Sequence, residues 1–463
     1  MKKYLYIMLT IVLLASMLVA CAPAQEAPAA EEPVSEEEAA PASEEEAAPA
    51  SEEEAAEEPA EEVVIRMLTM QQAGPTPDEM DEIAARFSEA NPGVTVEITY
   101  LAYDEIYDKI VVSVPGDNPA FDIVLVDDIW FSQMAEAGWL YDVTDWVPAE
   151  TKENVFEAAW EISSVNGKIY GMPWLLDQKY FYYNMEMLEQ AGYDAPPATW
   201  EELEEMGMKM KEMGLVEYPI VWSWAQAECA ICDFVTLLGG NGARLFDENN
   251  EPTFNSPDGV EVVQWMIDSI NKGISNPSSL AAYEEDVRSV FSSGKAAFAT
   301  NWGYMYDLAN FNEEESQVVG KVGMSLMPVF EKGKQQGIDS ATIDGSMGFA
   351  VTANSPNAET AWEYVKFLTS EEIQMEFSKH MLPVWETSFQ EPHVQTLMEI
   401  NPSSEVYVPM FGEQFPYSLV RPKVPYYTEA SLTIQLALQK ALSGTTPAQE
   451  ALDEAVETIK GLE

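Results

Sequence analysis

VVIRMLT (Val63–Thr69), TPDEMDEIAARF (Thr76–Phe87), VTVEITY (Val94–Tyr100) and IVLV (Ile123–Val126) follow one another in the chain, and their order decides the fold. The first run is apolar and rich in β-branched residues, as a strand requires. The second opens a helix: Thr76 is an N-cap residue, Pro77 suits the first turn and Glu79 holds the capping-box position. Met80, Ile83, Ala84 and Phe87 recur at i, i+3, i+4 and i+7, one stripe of that helix. Asn91-Pro92-Gly93 stops it, and Val94, Val96, Ile98 and Tyr100 alternate as a strand. A short helix is expected over Asp104–Val112. Ile123–Val126 is a continuous apolar run, as a strand buried on both faces would be. Strand, helix, strand, helix, strand predicts an α/β fold with a parallel sheet and helices on its faces.

In open α/β sheets a ligand sits beyond the carboxyl ends of the strands. Those ends carry Gln71 and Gln72 after the first run and Asp127-Asp128-Ile129-Trp130 after the buried one. Amides and carboxylates exchange hydrogen bonds with hydroxyls, and an indole covers the C–H face of a sugar ring, so the set suits a polyhydroxylated ligand. One aspartate is expected to cap the next helix and the other to face the ligand, and the sequence does not say which.

Upstream lies an address. Lys2 and Lys3 precede an apolar stretch, Tyr4–Leu18, too short for a comfortable membrane span. It runs into Leu18-Val19-Ala20-Cys21, which resembles the lipobox of bacterial lipoproteins and implies a signal peptide over 1–20 and a lipidated Cys21. The alternative is an ordinary signal peptide with an incidental cysteine. Residues 22–62 hold 16 Glu and no basic residue, with SEEEAAPA at 35–42 and 43–50 and SEEEAAEE at 51–58. Such a tract buries almost nothing and repels itself, so 21–62 reads as a disordered tether spanning on the order of 35 Å.

The balance of 80 acidic against 23 basic residues, a net charge of −57, excludes a nucleic-acid binder, because neutralising phosphates needs Lys and Arg. Two histidines, His380 and His393, exclude His-rich metal sites, and no phosphate-loop or nucleophile-elbow string occurs. No catalytic residue, metal or cofactor is assigned. Cys229 and Cys232 form C-x-x-C; outside the cytoplasm they read as a small disulfide or as two buried thiols, and no thioredoxin-like context surrounds them.

Asn166-Gly167-Lys168-Ile169-Tyr170-Gly171-Met172-Pro173-Trp174, then Tyr182-Tyr183-Asn184, Gly192 and Pro197-Ala198-Thr199-Trp200-Glu201-Glu202-Leu203, resemble the signature of the extracellular solute-binding proteins of ABC importers, the group that includes maltose-binding protein. Phe254–Pro257, Gly294–Phe298, Ser355–Leu368 and Leu442–Leu462 agree with it, so the resemblance runs from about Val63 to the end. The residues also have a local account. Gly167 and Gly171 permit tight turns. Thr199 caps a helix whose inner face is Leu203, Met206, Met210 and Met213, a stripe of core filler. Tyr218–Trp224 reads as a strand, and Thr446-Pro447 opens a last helix with Leu452, Ala455, Val456 and Ile459 inward.

The resemblance implies a two-lobed periplasmic-binding-protein-like fold with a hinged cleft. Lobe 1 is expected over 63–175 and 350–400 and lobe 2 over 176–349 and 401–463, with crossovers near Pro173–Lys179, Phe349–Thr352 and Asn401. By position and residue type, Trp302, Trp174 and Asp344 join the strand-end residues as ligand contacts, with Trp222, Trp224, Tyr426 and Tyr427 as weaker candidates. The implied function is a monomeric binding protein, not an enzyme: it captures a small-molecule solute, a sugar on this reading, and hands it to the permease subunits of an ABC transporter from the outer side of the membrane. A polyamine, a peptide or a glycerol phosphodiester fits the same fold, and a carbohydrate-active enzyme is the remaining alternative.

Overall fold

The computed structural model describes residues 62–71 and 74–462, so Cys21, the tether and Gln72 lie outside the described residues. β1 (Val63–Met70), β2 (Val94–Leu101) and β3 (Ile123–Asp127) pair in parallel, β1 in the middle. Every residue of β3 is buried, as its unbroken apolar run predicts. Thr76 closes a full capping box with Glu79 at the start of helix Pro77–Ala90, which buries Met80, Ile83, Ala84 and Phe87. β4 (Ser164–Val165) and β5 (Lys168–Ile169) form a hairpin across Asn166-Gly167, both at positive φ (52° and 78°). Gly171 serves close approach instead of a turn: a Cβ there would stand 2.7 Å from the Phe349 carbonyl oxygen. β6 (Met172–Leu175) completes this part of the lobe.

The second lobe is built on β7 (Tyr180–Asn184), β8 (Ile220–Val221), β9 (Phe298–Asn301) and β10 (Val322–Ser325), in the order β10-β7-β9-β8. Thr199 caps helix Trp200–Glu212, which buries Trp200, Leu203 and Met210. Met213, expected on the inner face, lies beyond the last turn and is 49% exposed. The strand expected over Tyr218–Trp224 shortens to β8, and Trp222 and Trp224 pass into the lobe core, both fully buried. Trp222 stacks on Trp224 at 5.2 Å, meets Trp200 at 5.3 Å and spends its indole N–H on Ser275 Oγ at 3.0 Å. Their expected place as ligand contacts is therefore corrected to packing. The last helix, Ala448–Ile459, buries Leu452, Ala455, Val456 and Ile459, with Pro447 at its N-cap and no side-chain cap bond from Thr446.

β11 (Thr342–Ile343), β12 (Met347–Val351) and β13 (Ser418–Leu419) define the crossovers. β12 inserts antiparallel between β3 and β6, so the first sheet reads β2-β1-β3-β12-β6 and is mixed, not wholly parallel. The second crossover thus falls at 344–346, before the expected Phe349–Thr352, because Phe349 is already mid-strand in the first sheet. The first occupies 176–179, between β6 and β7. Near the third, Asn401 donates to the Ser378 carbonyl before helix Ser404–Gln414 enters the second lobe with Tyr407 against Tyr180.

Because the Trp222 ring fills a core shared with three other indoles, Trp222→Ala is expected to cost about 3–5 kcal/mol in equilibrium urea unfolding. A loss below about 1 kcal/mol would remove the ring from the core.

Candidate functional site

The carboxyl end of β3 meets the second lobe through one guanidinium. Asp127 is the N-cap of helix Asp128–Glu136: Oδ1 accepts the Ile129 N–H at 3.3 Å and Oδ2 accepts the Tyr103 hydroxyl at 2.7 Å. Arg421, on the stretch after β13, donates from Nη2 to Asp127 Oδ1 at 3.1 Å and to Asp128 Oδ1 at 2.7 Å. Its Nη1 donates at 3.1 Å to Oε1 of Glu228, the first residue of helix Glu228–Gly240 in the second lobe. Glu228 also accepts the Tyr427 hydroxyl at 2.6 Å and the Ser431 hydroxyl. Asp344, in the second crossover, accepts Ser346 Oγ at 2.6 Å and lies within electrostatic reach of Arg421.

A second cluster lies where β7 begins. The fully buried Lys179 donates to Asp233 Oδ1 at 2.8 Å and Ser223 Oγ at 2.9 Å, with Glu284 Oε1 at 3.9 Å and the Trp302 ring centre at 5.5 Å. Trp302 is partly buried. Its indole N–H reaches Glu284 at 3.4 Å, and its ring lies on Gly345, where a Cβ would come within 2.3 Å of it. Between the clusters Asp177 ties the crossovers together. Its Oδ2 accepts the Gly303 N–H at 3.2 Å, and its Oδ1 accepts the Gln178 N–H at 2.8 Å and the Tyr407 hydroxyl at 3.2 Å. Its backbone N–H donates to Ser346 Oγ at 3.3 Å and its carbonyl accepts the Gly345 N–H at 3.0 Å.

Burial sets the electrostatics of the site. It raises Asp128 well above the usual carboxylate range, with Arg421 opposing and Asp127 adding to the rise. Burial likewise raises Glu228 and Asp344 against the pull of Arg421, and Glu284 against that of Lys179. Burial works against the charged guanidinium of Arg421, but Asp127 and Asp128 outweigh it and hold the group protonated. Asp177 is pushed up to about 7, by burial first, with its hydrogen bonds to Gln178, Gly303 and Tyr407 opposing.

Of the residues singled out from sequence, Asp127, Asp128, Asp344 and Tyr427 gather around Arg421, and Trp302 stands at the second cluster. Asp127 takes the capping role, and both aspartates pair with the guanidinium. Gln71 is exposed at the end of β1, its N–H bonded to the Leu101 carbonyl. Trp130 is buried and stacks on Tyr103 at 5.5 Å, and Trp174 is buried against Phe349 at 5.2 Å. Tyr426 is partly buried and packs against the cores of both lobes. Cys229 and Cys232 are buried free thiols, and Cys232 Sγ lies 3.9 Å from Arg421 Nη1. Sequence reasoning missed Arg421, Glu228, Lys179 and Asp177. The scarcity of arginine, five in the whole chain, was the signal that a buried one would matter.

A profile described as bacterial extracellular solute-binding protein matches residues 73–375. A probable ABC transporter-binding protein of Deinococcus radiodurans is 28% identical over 357 residues, 73% of this chain and 80% of the relative. Maltose-bound MalE3 of T. maritima superposes with a TM-score of 0.78 at 28% identity, covering 87% of this chain and all of that one. A solute-binding protein of Agrobacterium radiobacter in complex with ribitol has a TM-score of 0.76 at 22% identity, covering 88% of this chain and all of that one, and shares the fold.

The raised Asp177 makes an unusual pH dependence. A carboxyl whose folded pKa lies above its unfolded value of 3.8 stabilises the protein fully below that value, and the contribution is lost as pH rises through about 7. The melting temperature of the native protein minus that of Asp177→Asn is therefore expected to fall steadily from pH 4 to pH 8, since asparagine does not titrate. Parallel curves would remove Asp177 from its buried, hydrogen-bonded place.

Proposed function

The chain belongs to the bacterial extracellular solute-binding proteins, and from that premise we propose that it captures a carbohydrate between its two lobes and delivers it to the permease of an ABC importer, without chemical change to the solute. The observation that carries the reading is the position of Arg421, which joins carboxylates of both lobes at the strand ends, where open α/β sheets hold their ligands. Carboxylates, tyrosine hydroxyls and the partly buried Trp302 offer the acceptors, donors and flat apolar face that a sugar uses. The maltose and ribitol held by proteins of the same fold support the same class. A solute touching both lobes favours their joined arrangement by the free energy of its extra contacts, and the crossovers absorb the motion. Trp302, Asp128, Asp344 and Tyr427 are the proposed contacts, with Arg421 and Glu228 added. Cys21 is the proposed lipid attachment, which keeps a monomeric protein near its permease at the outer face of the membrane. Carboxylates outnumber cations in the cleft, and this favours a cationic solute such as a polyamine as the second reading.

A thermal-shift screen separates the two. A neutral sugar or polyol at one hundred times its Kd is expected to add about 2.7 kcal/mol of apparent stability, insensitive to salt, and to be recovered unchanged. A response confined to amines and abolished by salt would favour the second reading, and turnover of the sugar would overturn the binding role. Cys21→Ser is expected to move the protein from the membrane fraction to the soluble one; a variant still bound to membranes would contradict the anchor.

A further inference from the structure

Two thiols beside the bridge have no part in solute binding. Cys229 and Cys232 stand near the start of helix Glu228–Gly240, 4% and 2% exposed, and both are free. The family places the chain outside the cytoplasm, where paired cysteines ordinarily close into disulfides. Cys232 Sγ lies 3.9 Å from Arg421 Nη1, and Cys229 is within electrostatic reach of Lys179 and Glu284. The residue before Cys229 is Glu228, whose Oε1 accepts Arg421 Nη1 at 3.1 Å and the Tyr427 hydroxyl at 2.6 Å. A spacing of three puts both cysteines on one face of the helix. Their Cα atoms are then about 5 Å apart, inside the range a disulfide tolerates. Their Cβ atoms are about 5–6 Å apart in a regular helix, whereas a disulfide holds them at about 3.8 Å. The bond therefore forms only if the first turn tightens by about 1–2 Å.

We propose that Cys229 and Cys232 form a thiol–disulfide exchange site, and that its oxidation by a low-molecular-weight disulfide draws Glu228 off Arg421 and loosens the joined lobes. The step balances. The Cys232 thiolate attacks the disulfide and expels one thiolate, leaving a mixed disulfide on Cys232. The Cys229 sulfur then attacks the Cys232 sulfur and expels the second thiolate. The two cysteines lose two electrons and two protons, and the reagent leaves as two thiols. The coupling follows from position. Glu228 rides on the turn that must tighten, and lengthening its 3.1 Å contact to Arg421 by 1 Å or more takes it beyond the hydrogen-bond limit of about 3.2 Å. While the lobes are joined, burial raises both thiols above their ordinary range, with Lys179 opposing on each and Arg421 on Cys232, so they stay reduced. When the lobes part and water enters, the two cations and the helix start favour the thiolate at Cys232. The pair thus reacts in the open arrangement and, once closed as a disulfide, keeps it open. None of this depends on the class of solute.

The chain has three cysteines, so Cys21→Ser leaves this pair as its only thiols. That protein, with 15N-labelled arginine, is treated with oxidised glutathione and then with dithiothreitol. Intact mass is expected to fall by two hydrogen atoms, and peptide mapping to join Cys229 to Cys232. The side-chain N–H resonances of Arg421, identified by their loss in Arg421→Lys, are expected to shift and exchange faster with water. The radius of gyration from small-angle scattering is expected to rise. Dithiothreitol should reverse all three changes. Cys229→Ala/Cys232→Ala is expected to keep its arginine resonances and its radius under the same oxidant. Thiols that stay unreacted, or that stop at glutathione adducts, overturn the exchange site. A disulfide that leaves the Arg421 resonances or the radius unmoved overturns the coupling, as does an equal change in the double variant. Should the double variant not fold, the reversal by dithiothreitol carries the comparison, and a change that persists after the disulfide is reduced overturns the coupling.

Discussion

A single buried guanidinium has to serve acidic groups from both lobes. Asp127 and Asp128 come from the end of β3, Glu228 from the first turn of a second-lobe helix, and Arg421 reaches all three with two nitrogens. Taking such charges out of water costs several kcal/mol per ion, and only mutual pairing with well-directed hydrogen bonds offsets it. Removing one partner of a buried pair costs about 3–5 kcal/mol, because the others stay behind uncompensated. The cluster therefore exists only while the lobes face each other in one register. Tyr103 and Tyr427 make that register stricter, since their hydroxyls fix which carboxylate oxygens remain for the arginine.

The crossovers are built to the same tolerance. Asp177 takes hydrogen bonds from Gly303, Gln178 and Tyr407 and from the backbone of Gly345. Two of these partners are glycines because nothing larger fits: a Cβ at Gly303 would stand 1.7 Å from the Tyr407 hydroxyl oxygen, and one at Gly345 would enter the Trp302 ring. Lys179, two residues beyond Asp177, is fully buried on Asp233 and lies over Trp302. The crossovers are thus tied to Lys179 and Trp302 through neighbouring buried contacts. On the proposed reading, a solute that touches Trp302 and Asp128 touches both a crossover and the bridge, which links its binding to the relative placement of the lobes.

Local patterning made much of the fold legible. The capping box at Thr76 and Glu79, the buried run of β3 and the stripe of the last helix all follow from spacing. What local pattern does not carry is sheet order. β12 lies antiparallel between β3 and β6 because a segment more than two hundred residues downstream returns to the first sheet, and this moved the second crossover to 344–346. The site divides in the same way. Asp127 and Asp128 were found because they end a buried strand. Arg421 was not, because its partners lie 294 and 293 residues away in sequence. Trp222 and Trp224 looked like stacking residues because type and alternation cannot distinguish an indole facing a cleft from one facing three others in a core.

The central claim is that the Arg421 bridge holds the lobes in register. Spin labels at Val112 on the first lobe and Met213 on the second, both exposed, report the separation by pulsed electron resonance. The native protein is predicted to give one narrow distance distribution, and Arg421→Met a broader one with a longer mean, while circular dichroism shows both lobes still folded. Superimposable distributions in the two proteins would contradict the account.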